Sequence, residues 1–279
     1  TANIKNSAKY LISSAKTKAR RRFYYLRKVY NKNPASVEIE TDATCNRRCD
    51  YCPLSMVETR EGRMSKELYH KIIRDLKMMN FSGNLSFHFY NEPLLDERLE
   101  SFIAYASKQI PDATVIIFTN GDKLTKDRVH SLVDSGTGII RISIHDSKAK
   151  NKITKLLLDL EPELNKKIQL EIYYEDEMAL SNRGGSVELN ESRKKIDFRS
   201  GCDLITQLIV NYEGNTALCC NDFFVTNGHG SLKDFSVTEI WTRSAKKRRD
   251  IFLGDYNFFV LNIFWMHKDY FVYTFYFFK

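Results

Sequence analysis

Three cysteines crowd one short stretch of the chain, Cys45-Asn-Arg-Arg-Cys49-Asp-Tyr-Cys52-Pro53, with the spacing C-x3-C-x2-C. Three thiolates on one loop can converge on a single metal centre. Cubane iron–sulfur clusters usually take four protein ligands. Three thiolates therefore leave one iron with an open position, as catalytic metal sites do. An amino acid can fill that position through its amine and carboxylate. The alternative is a zinc site completed by His70 or His88, although zinc prefers paired C-x-x-C knuckles. The other three cysteines form a second group, Cys202, Cys219 and Cys220. Disulfide frameworks belong to oxidising compartments and usually to small domains, so clustered cysteines in a 279-residue chain read first as metal ligands.

Four further segments stand where a candidate strand ends. Tyr51 lies inside the last C-x-x-C, and Tyr90-Asn91-Glu92-Pro93-Leu94-Leu95 follows the second strand. Thr119-Asn120-Gly121 ends the third strand, and Ser143 sits near the end of the fourth, in Arg141-Ile-Ser-Ile-His145. Together with the cysteine loop, these segments resemble the radical S-adenosylmethionine (SAM) superfamily, roughly over residues 36–250.

The resemblance implies a [4Fe–4S] cluster on Cys45, Cys49 and Cys52, with SAM bound beside it. It implies that Tyr51 packs against the adenine and that Asn91 and Glu92, in the place of a Gly-Gly-Glu-Pro motif, meet the methionine amino group. Asn91 there replaces a glycine. Thr119 and Asn120 fall beside the ribose, and Ser143 contacts the ribose or the carboxylate. The implied reaction is one-electron cleavage of SAM to a 5′-deoxyadenosyl radical, which takes a hydrogen from a substrate. An electron donor such as flavodoxin or ferredoxin is the implied partner. Arg47 and Arg48 are expected to be solvated surface arginines, and His88 and His145 are given no role.

Cys202, Gly214 and Cys219, followed by Cys220-Asn-Asp222 and Thr238-Glu-Ile-Trp241, resemble the opening of a SPASM or twitch extension. That extension holds auxiliary iron–sulfur clusters in the family. No cysteine follows Cys220. A complete auxiliary cluster is therefore not expected, and Cys202 and Cys219 read either as partial ligands or as buried thiols in a hairpin.

The elements that must position these residues follow from periodicity. Strands are expected at Ser36–Asp42, Asn84–Tyr90, Ala113–Thr119, Gly138–His145 and Lys167–Tyr174. Helices alternate with them at Ser65–Met79, Asp96–Lys108, Thr125–Asp134 and about 148–160. Such alternation implies crossover units and a parallel sheet. The fold class expected is α/β, a partial (β/α)6 TIM-like barrel carrying a small C-terminal hairpin-plus-helix extension. The hairpin is Leu204–Asn211 with Asn215–Cys220, and the helix spans 237–250. Ligands bind at the carboxyl ends of parallel strands, which is where the motifs fall.

Four regions result: a basic helical arm (1–33), a core barrel (34–185), an incomplete extension (186–250) and an aromatic tail (251–279). Residues 1–37 carry ten Lys or Arg and no acid, so the rest has 33 basic against 35 acidic residues and is near neutral. The arm is expected to touch an acidic partner, a membrane surface or nucleic acid. In the tail thirteen of 29 residues are Phe, Tyr or Trp without a period, as in foreign or frame-shifted sequence. The first residue is Thr1, so a fragment or processed chain is expected. No signal peptide or long apolar span is visible, and a cytoplasmic location is expected.

The preferred function is a radical SAM enzyme acting on a peptide, a protein or a carbohydrate-like alcohol. The alternatives are a metal-binding, nucleic-acid-associated protein and a truncated, inactive homologue. The substrate itself is not legible.

Overall fold

The computed structural model of the protein describes residues 19–20, 23, 33–58, 60–173, 181–188 and 202–252. Of the basic arm, Ala19, Arg20, Phe23 and Asn33 fall in that set; the first three are helical and exposed, and the Asn33 side chain donates to the Met79 carbonyl at 2.8 Å. Of the aromatic tail, only Ile251 and Phe252 do, and both are buried. The remainder of both regions lies outside the described residues.

The expected strand–helix alternation is present. It runs β1 (Ser36–Ile39), α1 (Lys66–Met78), β2 (Asn84–Ser86), α2 (Leu99–Gln109), β3 (Thr114–Thr119) and α3 (Lys126–Asp134). It continues through β4 (Ile139–Ile144), α4 (Ser147–Asp159), α5 (Pro162–Asn165) and β5 (Ile168–Ile172). The extension supplies β6 (Gln207–Val210), β7 (Asn215–Ala217), β8 (Gly230–Ser231), α6 (Val237–Arg243) and α7 (Ala245–Phe252).

The helices begin where short polar side chains can take the first free amide hydrogens. Ser65 accepts from the Leu68 amide, Thr125 from Arg128 and Asp146 from Ala149. Ser236 and Glu239 form a reciprocal capping box at the start of α6.

One sheet of eight strands, in the order β5-β4-β3-β2-β1-β6-β7-β8, organises the described residues. It is parallel from β5 across to β6 and antiparallel through β7 and β8, and it stays open rather than closing on itself. This is the partial barrel with an appended hairpin. One feature was not legible: the first hairpin strand, β6, pairs parallel with β1 and so extends the core sheet.

Strand periodicity divides the sheet into two faces. Val37, Ile39, Leu85, Val115, Ile117, Ile140, Ile142 and Val210 form a common core with α1, α2, α3, α4 and α6. The residues between them, among them Glu38, Ser86, Arg141, Ser143 and Glu171, occupy the opposite face. Parallel strands covered on both sides are usually apolar throughout. The second face instead mixes these polar residues with the apolar Ile116, Phe118 and Ile209.

Some boundaries differ from expectation for local reasons. β2 stops at Ser86 rather than Tyr90, because the Asn91 side chain accepts from the Phe89 amide at 3.0 Å and turns the chain out of the sheet. The expected helix over 237–250 is two helices. They part at Ser244, whose hydroxyl donates to the Trp241 carbonyl at 3.0 Å.

Candidate active site

The cysteine loop leaves β1 and is pinned at several points. Asp42 accepts from the Thr44 amide and hydroxyl, at 2.9 and 2.6 Å, just before Cys45. The Cys52 amide donates to the Cys49 carbonyl at 3.0 Å, closing the C-x2-C turn. All three thiols are free and partly buried.

Burial pushes the Cys45 thiol up to about 11, with Glu92 and the other two thiols adding to the rise. Cys49 and Cys52 are also raised, again chiefly by burial. Opposing this, Arg183, Arg60 and Arg48 favour the Cys52 thiolate, and Arg47 favours that of Cys49. Arginines beside two of the three thiols fit an anionic cluster of iron and sulfide better than a set of neutral thiols. Among the described residues no three His, Cys, Asp or Glu side chains converge on a point that could hold a single metal ion, so neither His70 nor His88 completes a zinc set there.

Arg47 is not the solvated arginine expected from sequence. Its guanidinium makes a bidentate pair with Asp122 at 2.7 and 2.6 Å and reaches Asp146 at 2.7 Å. Asp122 follows β3 and Asp146 follows β4, so Arg47 fastens the cysteine loop to both strand ends. Asn46 adds a bond to Asp122 at 2.7 Å and receives one from Asn120 at 2.9 Å. Gly121 makes this crowding possible: its φ is 74°, and a Cβ there would lie 2.9 Å from Ile153. Arg48 is exposed, as expected, and donates to the Cys45 and Arg47 carbonyls. Arg47→Ala is expected to lower stability by about 1–3 kcal/mol, since its pairs are only partly screened by solvent. Thermal melts of the protein as purified would check this; an unchanged midpoint would mean the clamp contributes nothing.

Glu92 is 2% exposed and ties two strand ends together. One carboxylate oxygen accepts from the Leu94 amide at 3.1 Å and the Thr119 hydroxyl at 2.7 Å; the other accepts from the Asn120 amide at 2.7 Å. The Glu92 amide donates to the Thr44 carbonyl at 2.8 Å, next to Cys45. Asn91 turns inward on its own loop, its amide nitrogen donating to the Phe87 carbonyl at 3.3 Å. Glu92, Thr119 and Asn120 thus form one network with the cysteine loop, while the Asn91 side chain serves its turn.

Tyr51 and Ser143 meet at a second point. The Tyr51 hydroxyl shares a hydrogen bond with His145 Nδ1, and the Tyr51 ring lies over Tyr173 with centroids 6.1 Å apart. Ser143 hydrogen-bonds Tyr173. A cleft of about 240 Å³ opens here, lined by Arg47, Arg48, Cys49, Asp50, Tyr51 and His145. His145, given no role from sequence, is therefore a wall of the cleft; burial pushes its pKa down to about 4 and keeps the ring neutral.

The second cysteine group lies in the extension. Cys202 and Cys219 pack against Ile205, Leu218, Ile251 and Phe252. Burial pushes the Cys220 thiol up to about 12 and that of Cys219 higher still. Asp222 is committed to its own turn, accepting from Leu218, Thr226 and Asn227. Tyr90 links the two groups: its hydroxyl donates to the Cys220 carbonyl at 2.7 Å, and it packs with Leu54 and Phe223 beside Cys45 and Cys52. Arg183, half-buried and at a φ of 50°, faces both Cys52 and Cys220, and its Nε has no hydrogen-bond partner among the described residues.

Comparison with known proteins identifies the family of the chain. The family model described as the radical SAM superfamily matches residues 39–175. The S-adenosyl-L-methionine-dependent 2-deoxy-scyllo-inosamine dehydrogenase of Niallia circulans is 33% identical over 208 residues, spanning 74% of this chain and 81% of that protein. The chain belongs to the radical SAM superfamily. Among solved structures, BtrN in complex with AdoMet and 2-DOIA aligns with a TM-score of 0.70 at 30% identity, covering 79% of this chain and 87% of that one. A PqqA peptide cyclase of Streptomyces rochei matches at 30% identity over only 117 residues, 30% of its length. The structure of anSMEcpe with bound AdoMet shares the fold, with a TM-score of 0.55 at 14% identity. The protein is thus a radical SAM enzyme, a class that uses a reductant and a substrate. Among the described residues no helix is long and apolar enough to cross a membrane.

Proposed function

We propose that this radical SAM enzyme dehydrogenates a secondary alcohol on a carbohydrate-like ring. The observation that carries the reading is the row of polar side chains on the second face of the sheet, in a chain one-third identical to a cyclitol dehydrogenase over 81% of that protein. A ring of hydroxyls needs hydrogen-bonding walls, and Ser86, Arg141, Ser143 and Glu171 supply them beneath the ends of β1 to β5. The peptide reading has less behind it, because the match to a peptide cyclase covers under a third of that relative.

Cys45, Cys49 and Cys52 would hold a [4Fe–4S] cluster. Tyr51, Asn91, Glu92, Thr119, Asn120 and Ser143 would hold SAM. When bound, these two cofactors supply abstraction of a hydrogen atom. The chain's own work is positional. Arg47 and Asn46 fix the cysteine loop against the ends of β3 and β4. Glu92 sets the backbone of residues 119–120 against the loop that follows β2. Tyr51, Tyr173 and His145 wall the cleft against water. An auxiliary cluster on Cys202 and Cys219 is not part of the proposal. A flavodoxin- or ferredoxin-type donor in the cytoplasm is the reductant inferred.

The test is anaerobic turnover of the iron–sulfide-reconstituted protein with dithionite, SAM and 2-deoxy-scyllo-inosamine. Formation of 5′-deoxyadenosine together with a ketone is expected, with deuterium passing from the carbinol carbon into 5′-deoxyadenosine. SAM cleavage without ketone or label transfer would overturn the reading.

A further inference from the structure

We propose that Glu38 is the receptor for an ammonium group on the substrate, so that the ring alcohol this enzyme oxidises carries an amine. The inference rests on the dehydrogenase reading above and adds to it the group that selects the substrate.

Glu38 stands out among the buried carboxylates of the described residues because nothing neutralises it. Two residues along, Glu40 makes a bidentate pair with Arg60 at 2.6 and 2.8 Å and accepts from the Tyr90 amide. Asp42 pairs with Arg63, Asp96 with Arg98 and Asp250 with Lys246. Glu92 and Asp222 are satisfied by backbone amides. Among the described residues Glu38 has no hydrogen bond and no Lys or Arg partner. Its side chain is 9% exposed, and its nearest charged or titratable contact is His88 Nε2 at 3.9 Å. Buried polar groups are otherwise almost always hydrogen-bonded, and leaving one unpaired costs free energy.

The surroundings fit a ligand rather than an ion pair lost by chance. Glu38 lies in register with Ser86 on β2 and Ile209 on β6, on the face of the sheet opposite the main core. His88 is hydrogen-bonded to Ser86 Oγ at 3.2 Å and packs in a tilted arrangement on Phe118, with ring centroids 4.1 Å apart. Burial, together with the Arg141 charge, pushes His88 down to about 4, so at neutral pH it is an uncharged donor or acceptor and no counter-ion. The other titratable group facing Glu38 is the Cys220 thiol, itself uncharged. On the far side of Phe118, Arg141 is already occupied by Glu171 at 3.3 Å and Gln169 at 2.8 Å. Among the described residues, what Glu38 lacks is a cation beside it. Among the described residues Glu38 belongs to no group of three His, Cys, Asp or Glu side chains that could hold a metal ion. A small ammonium on a ring whose hydroxyls reach Ser86 and His88 supplies that cation.

The consequence is proton release. Without a cation, burial holds Glu38 at about 8, so it is mostly protonated at pH 7. An ammonium placed against it favours the ionised form, and the proton leaves for solvent.

The experiment is titration calorimetry on the full-length, cluster-loaded protein with SAM at pH 7, in two buffers of different ionisation enthalpy. The probes are 2-deoxy-scyllo-inosamine and the same ring with a hydroxyl in place of the amine. Release of about one proton per amine bound is expected, and none for the hydroxyl ring. Glu38→Gln should abolish the release and weaken amine binding about ten- to a hundredfold, while changing binding of the hydroxyl ring by less than about twofold. Amine binding without proton release, or equal affinity for the two rings, overturns the role of Glu38 and leaves the dehydrogenase reading standing. Failure of both rings to bind overturns both.

Discussion

Replacing Cys45, Cys49 and Cys52 together by alanine is expected to remove all cluster iron and abolish SAM cleavage. The reconstituted wild-type protein should carry about four irons and four sulfides at this site, with the brown colour that accompanies them. The structure sharpens the expectation in two ways. The thiols sit where burial disfavours their ionised form, and four arginines press the other way. Iron, which binds thiolate, completes that balance; without it the thiols stay protonated. The substitutions remove only partial packing of Cys45 and Cys52 against the small Leu54, Tyr90 and Phe223 cluster and the Arg47 amide's bond to Cys45 Sγ, so the cluster-free fold should melt within several degrees of the wild type. Iron and sulfide analysis, visible absorption and 5′-deoxyadenosine yield are the measurements. Cleavage that survives in the triple variant, or zinc in place of iron in the wild type, would end the assignment.

Glu92→Ala is expected to weaken SAM binding about ten- to a hundredfold while leaving the cluster in place. The contacts show why the effect exceeds the loss of one ligand contact. Truncation leaves the amides of Leu94 and Asn120 and the Thr119 hydroxyl without their buried acceptor. A loss of about 3 kcal/mol in stability should accompany it. Glu92→Gln separates the two contributions. Glutamine keeps one oxygen for Leu94 and Thr119 but turns an NH2 toward the Asn120 amide. If Glu92 acts only as scaffold, melting temperature and SAM affinity should fall in proportion in both variants. If it also meets SAM directly, the glutamine variant should lose affinity beyond what its melting predicts. An unchanged dissociation constant in both variants would make the motif match accidental.

The cysteine loop and the strand-end motifs were legible because their chemistry is written in local spacing. C-x3-C-x2-C needs no tertiary knowledge, and the alternation of apolar strands with capped helices placed β1 to β5 within a few residues. What was missed depends on pairs far apart in the chain. Arg47 looked solvated because Asp122 and Asp146 are 75 and 99 residues away. Asp146 was the available signal, an acid at a strand-to-helix junction, but a helix cap accounts for it equally well. Glu38 looked like any polar position in an alternating strand. Only when its neighbours are enumerated does the missing cation show. His145 was set aside for the same reason, since its partner Tyr51 lies 94 residues earlier.

The pairing of β1 with β6 governs how this chain can be made. β1 is among the first described elements to leave the ribosome, yet one of its edges stays open until residues 207–210 arrive. Some 170 residues separate the two strands, roughly 10–30 s of synthesis at ordinary elongation rates. Through that interval the nascent chain offers Val37 and Ile39 on an unprotected strand edge, the kind of surface that recruits other chains. The cysteine loop hangs from this same strand. Cluster insertion during synthesis would therefore act on an unfinished sheet, and a chain released before β6 would expose its thiols and its sticky edge together. Expression conditions that slow elongation should favour inclusion bodies over coloured, soluble enzyme.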